Sequence, residues 1–207
     1  MHLIAFGTAA PDADHQRLGS AGFDPLPPVA LQRPIGTAHG EDLARFTVVR
    51  VPPDKMAEGR IQFCQQHTPE LVWQERWTSH ANAASGLAAV LVCVADPEAT
   101  ALRYSRFTGI PAEHGPGGWT LCTTRGSLVF AQPAAFERVL GVKAPALPWI
   151  AGYVLDSRDL ATTEALVRAA AGAPRELGGG HLVVPLPPAL GGVTLFGSPG
   201  STLPAFH

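Results

Sequence analysis

Three segments of this chain are built on one pattern: His2 to Phe23, Leu87 to Gly109 and Ile150 to Gly172. Each opens with an apolar run (HLIAFG, LAAVLVCVA and IAGYVL) and turns polar at an aspartate: Asp12, Asp96, and Asp156 or Asp159. Each then continues as a helical stretch that stops near a glycine: Gly22, Gly109 or Gly172. An aspartate before a helix accepts hydrogen bonds from the free amides of the first turn. Pro97 suits the first helical position, where its missing N–H would be unpaired anyway. A terminal glycine takes the left-handed conformation that ends a helix. In the third segment Leu160, Ala161, Glu164, Ala165, Val167 and Arg168 make one apolar and one charged stripe.

Strand-like runs follow each helix. They are ALQRPIG, RFTVVRV and RIQFCQQH after the first, GWTLCTT and SLVFAQ after the second, and HLVVPL and GVTLF after the third. The unit is therefore strand–helix–strand–strand, with one further strand in the first copy. Thr68 to Gly86 and the proline-rich GVKAPALPW read as links. The expected fold class is α+β, with curved, mostly antiparallel sheets and helices on the outer face. The expected units run 1–80, 81–145 and 146–207, packed as one compact assembly rather than as independent domains.

Hydrophobic residues make up 46% and charged residues 15%, enough apolar mass for a sizeable core. The net charge is −2 with no basic block, which argues against nucleic acid, since phosphate binding needs a clustered positive field. Cys64, Cys93 and Cys122 show no CxxC spacing, and this suits a reducing cytoplasm. The N-terminus has no basic leader, and no apolar stretch approaches the roughly 20 residues that span a bilayer. No GxSxG elbow or phosphate loop is present.

QFCQQHTPELVW, SHANAASGLAAVLVCVADPEATALRYSRFTG, AGFDPLPPVALQRP and AGYVLDSRDL together resemble the glyoxalase-like domain proteins of the vicinal oxygen chelate superfamily. The resemblance covers most of the chain and is strongest from Phe63 to Gly109. It implies paired βαβββ units whose sheets curl into a cup. In many members the cup holds a divalent metal on His or Glu from the first and last strands. Members include lyases, isomerases, dioxygenases and antibiotic-binding proteins, so the fold does not fix the reaction. Three units are an odd number for a fold that works in pairs. One unit either pairs with its own copy across a homodimer or lacks a preceding partner.

His67 ends the strand RIQFCQQH. It is a candidate metal ligand or acid–base group, or else a strand-end histidine bonded to backbone. Glu70 is a second catalytic candidate, although TPEL also reads as a helix start that favours an acid in its first turn. The period of two puts Gln62, Cys64 and Gln66 on one strand face and Ile61, Phe63, Gln65 and His67 on the other. His80 and Asn82 lie in a small-residue loop that either covers a pocket or simply turns the chain. Trp73 and Trp77, four apart, share a side of a short helix, as a pocket wall or as core. His181 follows GGG and either enters the cup or caps a sheet edge. His2 holds a formal ligand place in its unit, while His15, His39, His114 and His207 are weaker.

The expected function is small-molecule binding in a cup. It would use a divalent Zn, Ni, Mn or Fe held by His67, His80 and His181, with His67 and Glu70 catalytic. Gln66, Trp73, Trp77, His80 and Asn82 would contact the ligand. The reaction would be a lyase, isomerase or dioxygenase reaction in which metal polarises vicinal oxygens. The alternatives are a metal-free sequestering protein and a dimerising module without catalysis.

Overall fold

A computed structural model describes residues 3–170 and 172–206. The chain divides between Thr78 and Ser79 into two compact units. The first contains β1 (Leu3–Gly7), α1 (Pro11–Ser20), β2 (Val29–Thr37), β3 (Gly40–Arg50) and β4 (Arg60–Gln66). Two one-turn helices follow, α2 (Pro69–Val72) and α3 (Glu75–Thr78). The other unit begins with β5 (Ala84–Cys93), α4 (Pro97–Thr108), β6 (Glu113–Gly115), β7 (Gly118–Thr123) and β8 (Gly126–Ala131). After α5 (Pro133–Leu140) the pattern recurs as β9 (Trp149–Ser157), α6 (Leu160–Ala169), β10 (Arg175–Leu177), β11 (His181–Pro185) and β12 (Val193–Gly197).

Each copy is thus βαβββ. The first forms a four-stranded sheet in the order β1-β4-β3-β2. The second and third merge into one eight-stranded sheet, β10-β11-β12-β9-β5-β8-β7-β6. In every copy the first strand runs parallel to the last: β1 with β4, β5 with β8, β9 with β12. The antiparallel β5·β9 ladder joins the two halves of the larger sheet. The architecture is α+β with curved, open sheets, as expected.

One face of each copy packs its helix. In the first, Ile4, Phe6, Ile61 and Phe63 lie under α1 with the fully buried Leu18. The rings of Phe6 and Phe63 are 5.8 Å apart, and the Arg17 guanidinium stands 5.2 Å over Phe63. In the second copy Tyr104 from α4 meets Phe130 at 4.9 Å. In the third, Leu160 at the start of α6 packs with Leu182 and Phe196.

Several local readings change. The first helix is capped by Ala10, with Asp12 in its first turn; Asp96 and Asp159 cap α4 and α6 with their side chains. Asp159, not Asp156, is therefore the cap of the third helix. The strands β6 and β10 are only three residues long and leave no alternation to read. The helix α5 was not anticipated. It has Pro133 at its start and ends at Gly141, whose φ of 70° is left-handed.

Candidate functional site

The inner face of each sheet, opposite its helix, is where a cup can hold a ligand. The Thr8 N–H donates to the Cys64 carbonyl at 3.2 Å, and the Val94 N–H donates to Ala131 at 3.0 Å. The same bond two residues before each helix cap aligns the copies. Leu3, Ala5 and Gly7 correspond to Ala89, Leu91 and Cys93, and Gln62 and Cys64 correspond to Val129 and Ala131.

These matched faces differ in chemistry. In the larger sheet, Ala89, Leu91, Cys93, Val129 and Ala131 join Val154, Val193 and Leu195 in one buried apolar cluster. The helix α5 presses Ala135, Phe136 and Leu140 onto it, and Phe206 completes the seal, its ring 5.2 Å from Phe136. Burial raises the Cys93 thiol pKa to about 11, so it remains a neutral apolar group. This hollow is filled by side chains. A side cleft of about 340 Å³ lies beside His114, Trp119 and Arg138.

The first sheet presents Gln62, Cys64 and Gln66 on its inner face, as the period of two implied. Arg50 and Val48 stand opposite Gln62 and Cys64 on β3. Leu3 and Leu31 leave apolar surface exposed on the same face, at 44% and 48%. Burial pushes the Cys64 thiol up, again favouring its neutral form. The indole Nε1 of Trp73 donates to Gln66 Oε1 at 2.7 Å. The segment carrying Trp73 is fastened to β2: Gln74 Nε2 donates to the Gly36 carbonyl at 3.0 Å, and the Arg76 guanidinium donates to the same oxygen. An open cleft of about 400 Å³ is lined by Thr37, Glu70, Gln74 and Arg76 among others; Gln62, Cys64, Gln66 and Trp73 do not line it.

The structure thus brings Gln66 and Trp73 together and sets Glu70 beside them on α2. Trp73 caps α2 while Trp77 lies on α3, so the two tryptophans occupy separate turns, exposed at 51% and 57%. Trp77 stacks under Arg76 at 4.8 Å. His67 lies on the opposite, α1-side face, its Nε2 2.8 Å from Thr47 Oγ1. His80 is exposed, and its carbonyl accepts from the Ala83 N–H. The Asn82 side chain accepts from Ala84 N–H at 3.2 Å, and its carbonyl accepts from Thr163 Oγ1 at 2.6 Å, so it shapes the entry to β5. His181 is 1% exposed, with Nε2 3.3 Å from Ser201 Oγ. His2 and His207 lie outside the described residues. Sequence reasoning missed Arg50 and Leu31 on the inner face; the alternation of RFTVVRV and ALQRPIG carried that signal.

Among the described residues no three His, Cys, Asp or Glu side chains gather closely enough to share a divalent ion. The inner-face positions of the paired first and last strands carry mostly amides, aliphatics and neutral thiols, with Arg60, Ser127 and the carboxylate of Asp156 at strand ends. The described residues do not fit a resident divalent metal.

Three βαβββ copies, two of them joined through their first strands, define a protein of the vicinal oxygen chelate fold class. The sequence profile of the glyoxalase-like domain family matches residues 1–108, and the chain belongs to that family. No curated protein matches it. Among solved structures, a hypothetical protein from Staphylococcus aureus aligns at TM-score 0.59 and 10% identity, over 94% of this chain and 65% of that one. The Mn(II)-bound glyoxalase from Novosphingobium aromaticivorans aligns at TM-score 0.50 and 12% identity, over 94% of this chain and 61% of that one. At such identities the likeness is one of fold, and the chain spans less than two thirds of either relative.

Proposed function

We propose that this protein binds a small organic molecule without a metal, on the amide-bearing inner face of its first sheet. The observation that carries the reading is the contrast between matched faces: Gln62, Cys64, Gln66 and the bonded Trp73 in one, an α5-sealed apolar cluster in the other. Neutral amides and a neutral thiol hydrogen-bond an uncharged polar group at little desolvation cost, while Leu3, Leu31 and the indole supply apolar contact. Glu70, in the adjoining cleft, would orient a ligand that reaches past Trp73. The three free cysteines support a reducing, cytoplasmic setting.

Thermal-shift and tryptophan-fluorescence titration with a panel of uncharged heterocycles, with chelator and then with Mn, Ni, Zn or Fe, tests the proposal. Binding is expected in chelator, weakened about tenfold by Gln66→Leu, as loss of one or two hydrogen bonds implies. Ligand binding that needs added metal and ignores Gln66→Leu would refute it.

A further inference from the structure

We propose that the inner face of the first sheet carries an oxyanion site, formed by Arg50 and Arg60 with Gln62 between them, which takes a carboxylate or phosphate group of the ligand. Arg50 stands opposite Gln62 in the β3·β4 ladder, and Arg60 lies two residues before Gln62 on β4. Side chains alternate along a strand, so Arg60 and Gln62 emerge on one face, and Arg50 joins them from the neighbouring strand. Ile61, which points the other way, is buried on the α1 side at 2% exposure. Arg50 and Arg60 are diagonal cross-strand neighbours, with Cβ atoms roughly 7 Å apart. Two long guanidinium side chains at that spacing can converge on one oxyanion.

Neither guanidinium has a partner. The Nε of Arg50 is buried and makes no hydrogen bond. Among the described residues neither Arg50 nor Arg60 forms a side-chain hydrogen bond or an ion pair. Other arginines are satisfied: Arg17 pairs with Asp14 and Arg168 with Glu164, while Arg76 and Arg175 donate to carbonyls. The chain has carboxylates to spare, 17 Asp and Glu against 15 Lys and Arg, yet none is paired with these two. Glu58, two residues before Arg60, is buried at 7% exposure and is ion-paired with neither. On β3 the one acid of this face is Asp42, eight positions from Arg50 and so roughly 27 Å away along the strand. Its Oδ1 accepts from the Leu43 N–H at 2.7 Å. Like charges on neighbouring strands repel, and a half-buried guanidinium without a partner loses hydration and gains nothing in return. An oxyanion supplies what is missing, through charge-assisted bonds to the planar guanidinium forks. Gln62, 9% exposed, adds a neutral amide donor between them.

The fold itself does not call for arginine at these positions. The last pairs of the three parallel ladders, Gly7 with Cys64, Cys93 with Ala131 and Asp156 with Gly197, align the copies. By that alignment and the adjoining antiparallel ladders, Arg60, Gln62 and Arg50 correspond to Ser127, Val129 and Thr120 in the second copy. In the third they correspond to Val193, Leu195 and Val183. Both other copies build the same ladders with no charge at any of the three places. The paired cations belong to the first sheet alone, on the face that also bears Cys64, Gln66 and Trp73. Assigning the oxyanion to an organic ligand rests on the binding face proposed above; the oxyanion site does not.

Titration of the whole 207-residue chain with inorganic phosphate, benzoate and benzamide, against sodium chloride at matched ionic strength, tests the proposal. The readouts are thermal shift and the arginine Nε–Hε signals in heteronuclear NMR, with the Arg50 signal assigned by its loss in Arg50→Gln. Phosphate and benzoate should move that signal saturably, the tighter of the two identifying the head group, while benzamide and chloride should not. Arg50→Gln and, separately, Arg60→Gln should each weaken oxyanion binding about tenfold or more at unchanged circular dichroism, and should spare the binding of uncharged heterocycles. An Arg50 signal indifferent to both oxyanions, an equal response to chloride or benzamide, or oxyanion binding untouched by both substitutions would overturn it. Oxyanion binding at Arg50 in a protein that takes up no heterocycle would uphold the site and remove the reading of the face given above. Heterocycle binding that depends on Gln66 but shows no response to either oxyanion would do the reverse.

Discussion

At the scale of residues, periodicity worked where strands are regular. Gln62, Cys64 and Gln66 share a face because β4 alternates without a bulge, and the same alternation sends His67 to the other side, beside Thr47. The tryptophans were harder to read. A spacing of four implies one side of a helix only if the helix is continuous, and here it breaks between α2 and α3. The sequence places His181 in the cup or at a sheet edge, and the structure buries it at 1% exposure. Burial holds its pKa below the usual 6.5, against a smaller opposing hydrogen bond at Gly179. The unfolded chain therefore binds this proton more readily. The contribution is fully present above 6.5 and is lost as pH falls through 6.5 toward the lowered folded value. Denaturant unfolding between about pH 5 and 7.5 should show stability falling with acid, and His181→Gln should flatten that slope.

At the scale of elements, the three strand–helix starts were legible because capping and termination are local. Asp96 with Pro97, Asp159, and Gly109 with its φ of 78° act through their nearest neighbours in sequence. The helix α5 carries comparable signals, Pro133 and Gly141, but lies between the strand run SLVFAQ and the expected link GVKAPALPW, a stretch with no helix in the repeat pattern. Its role is tertiary: it closes the inner face of the larger sheet with Phe136, fully buried against Phe206. Phe136→Ala should cost about 3–5 kcal/mol, measured by denaturant unfolding followed in the near-ultraviolet. A loss under about 1 kcal/mol would mean that the hollow collapses around the gap or never needed the ring. Packing is equally tight at Gly152, on β9 between β5 and β12, where an added Cβ would strike the carbonyl of Val193.

At the scale of the whole molecule, residues Glu75 to Ala81 are exposed and the boundary between the two compact units falls within them. Brief chymotrypsin treatment should cut after Trp77 and leave two protected fragments, identified by mass; rapid loss of either would deny that it is compact by itself. No helix among the described residues is long and apolar enough to cross a membrane. The sequence by itself determined the number of repeats, their strand–helix order and the polar character of one strand face, because those properties depend on residues a few positions apart. Which copies join and which hollow is sealed were decided only by the tertiary structure. Strand partners and the landing place of α5 depend on contacts between residues far apart in the chain, and local periodicity carries no record of those.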